Sequence, residues 1–143
     1  MKPVCLFICA QVPNEHATQA GQKTAYAYLK DLLSRYDVDV LLLVKKEDKK
    51  GIESIRDLPV RKIEVVPFTF LARGLAVLTH LFSVPPRYAT RLSTTGFQQI
   101  QRHLADQDYK RVHFEFAQVG AYLPYLHMSA EKTFSVHDVI LQR

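Results

Sequence analysis

The chain has 143 residues, 48% of them hydrophobic and 23% charged, with 19 Lys and Arg against 14 Asp and Glu. That length suits one domain, and that apolar share excludes a disordered or fibrous chain. The net charge of +5 favours an anionic partner, and two cysteines are too few for a disulfide scaffold or a four-ligand zinc site.

Residues 4–10 are a short continuous apolar run, the pattern of a strand covered on both faces. The run faintly resembles a secretion signal, but it is short, and residues 11–15 make a poor cleavage site. A buried first strand in a cytoplasmic protein is the expectation, with Cys5 and Cys9 reduced and packed as small hydrophobes. Residues 11–20 are polar and contain Pro13, Asn14 and His16, so they read as a loop. From Gly21 onward, Tyr26, Leu29, Leu33 and Tyr36 fall three or four apart, which predicts an amphipathic helix ending near Tyr36. Residues 38–44 read as a second buried strand, 45–51 as an exposed charged loop, and 63–66 as a third strand closed by Pro67.

Further on, Leu71, Leu75, Leu78 and Phe82 have helical spacing, with Arg73, His80 and Ser83 on the opposite stripe and Pro85-Pro86 as the breaker. Residues 94–105 predict another helix, with Phe97, Ile100 and Leu104 inward. Residues 112–116 predict a fourth strand, 117–126 a short helix ending near Pro124, and 133–136 a fifth strand. The longest uncharged stretch of the middle region, 74–86, is too short to span a membrane. Residues 65–105 hold no Asp or Glu, yet carry Arg73, Arg87, Arg91 and Arg102. An apolar arc with a cationic edge suits peripheral contact with an anionic membrane; it equally suits a core helix with solvated arginines.

Strands alternating with helices predict an α/β fold: a Rossmann-like, doubly wound parallel sheet of about five strands in the order 3-2-1-4-5. No repeat or linker divides residues 1–143. A fifth strand close to the last residue leaves that sheet edge without a covering helix, as expected of a fragment of a longer protein. In such a sheet, ligands bind beyond the carboxyl ends of the strands where the order reverses, here between strands one and four. Three polar groups should meet there: the loop leading to Gly21, the pair Glu115 and Gln118, and His137 with Asp138.

Gly21 opens a helix whose backbone N–H groups can hold a phosphate or carboxylate, or it simply eases a tight turn. His137 can donate to a substrate hydroxyl or a developing anion, or it packs at a strand end. Glu115 interrupts an apolar strand and either faces the crevice or pairs with an Arg or Lys. Asp37 and Asp39 spell DxD on one strand face, but at the wrong end of the sheet for that crevice; they read as solvated strand-entry charges rather than a metal site. No metal and no cofactor are expected. Nucleic acid is not an expected partner, because no helix-turn-helix, finger or RNP signature is present.

The order of motifs resembles a known family. A small-Gly pair, Ala20-Gly21, opens the first helix; His-Phe-Glu-Phe at 113–116 runs into Ala-Gln-Val-Gly-Ala-Tyr at 117–122; the last strand leads into Phe-Ser-Val-His-Asp at 134–138. Together these resemble the N-terminal half of a GT-B glycosyltransferase of the retaining, group 1 (GT4-like) type. The resemblance implies two Rossmann-like domains facing a cleft, the N-terminal one binding the acceptor and the C-terminal one the nucleotide-sugar. It implies that Ala20 and Gly21 approach the donor phosphates and that His137 reaches the transferred sugar as the catalytic histidine. It places Glu115 where acceptor-side polar residues are found; the position of the crevice adds His16, Gln118 and Asp138 to that side, and the acid-free span sets Arg73, Arg87 and Arg91 toward an anionic surface. The acceptor would be a saccharide or a lipid-linked saccharide, as in cell-envelope polysaccharide synthesis at the inner face of a membrane. Ala20 stands where the family has a second glycine, and the donor-binding domain is absent, so the chain alone is not expected to catalyse transfer. The alternative is a stand-alone Rossmann-like or flavodoxin-like module that binds a nucleotide or a protein.

Overall fold

The computed structural model describes residues 1–45, 48, 51–68, 78 and 93–136. Five parallel strands form one sheet in the order β3-β2-β1-β4-β5. They are β1 (Val4–Cys9), β2 (Asp37–Lys45), β3 (Lys62–Phe68), β4 (Arg111–Glu115) and β5 (Glu131–Ser135). The described helices are α1 (Ala20–Arg35), the short α2 (Glu53–Arg56), α3 (Thr94–Asp106) and the short α4 (Ala117–Gly120), followed by a 3₁₀ turn at Leu123–Tyr125. This is the expected architecture and strand order.

β1 is the central strand, and its apolar run is explained by cover on both faces: Cys5 through Cys9 are fully buried. Register places Phe7 beside Val40 and His113, and Ile8 beside Leu41 and Phe114. α1 covers the face that carries Phe7 and His113, because the Tyr28 ring lies 4.3 Å from the His113 ring. α3 covers the opposite face, where His103 meets Glu64, the register partner of Leu41. One helix on each face is what doubly wound means in this chain.

Two boundaries differ from expectation for local reasons. β3 runs through Pro67 instead of stopping there. It is an edge strand, so the missing proline N–H removes no ladder bond on its outer side. The predicted helix over 117–126 breaks after Gly120, where the Phe134 ring would sit 2.6 Å from an added Cβ. Tyr122 turns inward, is 1% exposed, and accepts a 2.9 Å hydrogen bond from the Ser93 N–H. Ser93 in turn caps α3 by accepting from the Gly96 N–H at 2.9 Å. Gly96 is required here, since a Cβ would stand 2.5 Å from the Tyr122 oxygen.

Asp39 corrects the expectation of solvated strand-entry charges. It is 2% exposed and gripped by Arg61, Nε to Oδ1 at 2.8 Å and Nη2 to Oδ2 at 2.7 Å. Its partners are too distant in sequence for spacing to show them. The helix read over 71–82 lies outside the described residues, apart from Leu78, which is helical and exposed. Among the described residues, no helix is long and apolar enough to cross a membrane.

Candidate functional site

The strand order reverses at β1, whose neighbours are β2 and β4, so the crevice expected of this fold opens beyond Cys9 and Glu115. One wall is the connection from β1 to α1. It is tied down along its length. Asn14 N–H donates to the Gln22 carbonyl at 3.2 Å, and the Gln22 side-chain amide donates to the Val12 carbonyl at 3.1 Å. His16 N–H donates to Asn14 Oδ1 at 2.8 Å, and the Ser54 hydroxyl reaches the Pro13 carbonyl at 2.6 Å. The loop is therefore held from α1 and α2 rather than being an open tether.

The loop delivers the chain to α1 through an extended Gln19 that makes no side-chain cap, and the first turn holds no acidic residue. The positive end of a 16-residue helix thus meets solvent at Ala20, which is exposed, and Gly21, which is half-buried. The His16 side chain is 86% exposed and lies 3.4 Å from Glu15.

The other wall follows β4. Phe116 has φ of 78° and ψ of 142°, the one positive φ outside glycine among the described residues. A β-carbon in that region costs of order 1–3 kcal/mol and persists only where the surroundings impose it. The Phe116 ring is buried and its N–H donates to the Ser135 carbonyl at 3.1 Å, which imposes the bend. α4 starts at the next residue, carrying Gln118. The side-chain carbonyl oxygens of Gln118, after β4, and of Gln11, after β1, are both buried without a hydrogen-bond partner. Such atoms carry an uncompensated desolvation cost.

Behind this wall runs a polar seam between β4 and β5. The register sets Arg111 beside Glu131, His113 beside Thr133 and Glu115 beside Ser135. Arg111 donates to Glu131 Oε2 through Nε at 3.1 Å and Nη2 at 2.7 Å. His113 lies between the Phe7 ring, stacked at 5.5 Å, and the Tyr28 ring. Its Nε2 is 2.6 Å from Glu115 Oε2 and its Nδ1 is 2.8 Å from Thr133 Oγ1. Burial pushes the Tyr28 phenol above its ordinary range, and burial pushes the Cys5 thiol up to about 12.

Glu115 therefore stands at the expected end of β4 but is fully buried, and among the described residues it meets the His113 ring. The structure brings the Ala20-Gly21 loop, Glu115 and Gln118 to one edge of the sheet. His137, Asp138, Arg73, Arg87 and Arg91 lie outside the described residues. His113 was missed as a site residue. Its signal was available, since His113 and Glu115 at i and i+2 share one strand face.

No known family's sequence pattern matches the chain, and no curated protein matches it. Among solved structures, it superimposes on the C-terminal domain of a hydrogenase from Pyrococcus furiosus with a TM-score of 0.54. The two are 15% identical over 95% of this chain and 93% of that one. At that identity the likeness is one of fold alone: the chain is a Rossmann-like α/β domain with a five-stranded parallel sheet.

Proposed function

We propose that the chain is the N-terminal, acceptor-side domain of a retaining glycosyltransferase that moves a sugar from a nucleotide-sugar to a saccharide or lipid-linked acceptor. The observation that carries this reading is the meeting, at the sheet's reversal point, of an uncapped helix start, a backbone bend held at positive φ, and buried glutamine carbonyls on both sides. Each suits one part of such a substrate. The α1 N-terminus offers N–H donors and a positive dipole end to an anionic oxygen. The carbonyls of Gln11 and Gln118 accept hydrogen bonds from sugar hydroxyls, which relieves their buried cost. His137 and Asp138 follow β5 in sequence and supply a donor and an acceptor for the reacting sugar. Transfer needs a second domain to hold the nucleotide.

Chemical-shift mapping of the ¹⁵N-labelled chain against a panel of methyl glycosides and nucleotide-sugars tests this. The expected result is a set of shifts at Ala20, Gly21 and Gln118, abolished by Gly21→Asp. The opposite edge of the sheet supplies the control. An open groove of about 680 Å³ there is lined by residues including Pro3, Asp108, Tyr109, Lys110 and Glu131. Shifts confined to that groove, or none with any sugar, overturn the reading.

A further inference from the structure

Away from the reversal point, a continuous chain of polar side chains ties α3 to the β2–β3 side of the sheet. Beyond its Arg61 grip, Asp39 Oδ2 accepts from the Tyr109 hydroxyl at 2.8 Å. His103 Nδ1 stands 3.1 Å from that same Tyr109 oxygen, and His103 Nε2 stands 3.1 Å from Glu64 Oε2. Lys62 Nζ is 3.1 Å from the same Glu64 oxygen. His103 and Asp39 are buried, at 6% and 2% exposure. The hydrogen bonds thus join β2, β3, α3 and the α3–β4 connection.

Counting hydrogens fixes the direction of each bond. Burial works against an ionised Asp39, but its hydrogen bonds from Arg61 and Tyr109 outweigh that and hold the carboxyl below its ordinary range. An ionised carboxylate only accepts, so Tyr109 spends its single hydrogen on Asp39. Burial and that bond keep the phenol protonated, well above its usual range. The Tyr109 oxygen is therefore left to accept from His103 Nδ1. Glu64 is also held below its ordinary range: burial opposes ionisation, and Lys62 and His103 overcome it. It too only accepts, from His103 Nε2. With one hydrogen missing, a ring lone pair would face either the Tyr109 oxygen or the Glu64 carboxylate.

We propose that His103 is a doubly protonated pin, donating from both ring nitrogens, and that the last turns of α3 loosen from the sheet when the ring gives up a proton. The groups facing it are Glu64 and Lys62 from β3, Asp39 from β2, Arg61 from the turn before β3, and Tyr109 from the α3–β4 connection. On its own helix, Asp106 pairs with Arg102 at 3.7 Å. Arg61 and Lys62 oppose a third cation, but their side chains are 42% and 57% exposed, so water weakens that opposition. The carboxylates are the less exposed members, at 3% and 25%. The other end of α3 is held independently, through Ser93 and Tyr122, so the loosening is confined to the end that carries His103. Both donated bonds need both ring hydrogens, so the full contribution belongs to the doubly protonated ring, and one bond is lost when the ring gives up a proton.

The test compares urea unfolding of the wild-type chain with His103→Gln and Tyr109→Phe from about pH 5.5 to about pH 8.5, bracketing the ordinary histidine range. Tyr109→Phe keeps the core ring and removes the oxygen that Nδ1 needs; it also removes the bond to Asp39, but that carboxylate stays ionised across this pH range, so that loss is constant and the variant serves if His103→Gln fails to fold. The wild-type advantage in unfolding constant should shrink about tenfold across that range, the size of a charge-assisted hydrogen bond. Hydrogen-exchange protection of residues 103–106 in the wild type should fall relative to β1 over the same range. A ratio that stays flat or widens, or protection that falls equally in β1, overturns the proposal.

Discussion

Replacing His113 by Phe isolates the seam behind the candidate site. Phenylalanine keeps a ring between Phe7 and Tyr28 but removes the 2.6 Å contact to Glu115 and the 2.8 Å contact to Thr133. Breaking a buried pair by deleting one partner costs about 3–5 kcal/mol, because the group left behind has lost its compensation. Glu115 makes further interactions, so the low end, about 3 kcal/mol, is expected. At roughly 2–4 °C per kcal/mol for a chain of this size, the melting temperature should fall by about 6–12 °C. Glu115→Leu alone should also destabilise, by stranding the buried imidazole. The double variant should recover much of the loss, since two apolar groups replace two polar ones on an apolar face. The coupling read from urea denaturation of the four proteins should therefore be about 1.5–3 kcal/mol. Additive single losses, or a cost below about 1 kcal/mol for His113→Phe, would refute the claim that this pair holds the carboxyl end of β4.

Two further outcomes follow from the geometry. Gly96→Ala puts a methyl group 2.5 Å from the Tyr122 oxygen and should cost about 1–3 kcal/mol in thermal unfolding; adding Tyr122→Phe should restore part of it, and no rescue would contradict the contact. The Asp39 carboxyl is held down by Arg61 and Tyr109 against its burial, so its contribution is full above the unfolded value of about 3.9 and disappears as pH falls through the lower folded value. Denaturation series from about pH 6 to about pH 2 should show the gap between wild type and Asp39→Asn closing on the acid side; a constant gap would overturn the assignment.

At the candidate site, the residue types were legible before their contacts were. The helix start at Ala20-Gly21 and the place of Glu115 and Gln118 after β4 follow from where apolar runs stop and polar residues begin. That His113 faces Glu115 could be read, since the two lie at i and i+2 on one strand face; that Thr133 holds the other nitrogen of the His113 ring could not, because it comes from the next strand. The positive φ at Phe116 left no mark in the sequence, since the usual sign of such a backbone is glycine. The inward turn of Tyr122 after Gly120 was hidden for a similar reason: the partner of its hydroxyl, Ser93, is distant in sequence.

Local pattern alone determined the architecture. Continuous apolar runs at β1 and β2 demand cover on both faces, and an amphipathic segment between them supplies a right-handed crossover. Those rules need only neighbours along the chain, and joined to the Rossmann-like template they supplied the order of the five strands. Tertiary structure decided the fate of the buried polar groups. Asp39 is not solvated because Tyr109, 70 residues away, and Arg61, 22 away, converge on it. Periodicity places a side chain on a face but does not say which polar atom waits there, and a buried charge is tolerable only where a partner does.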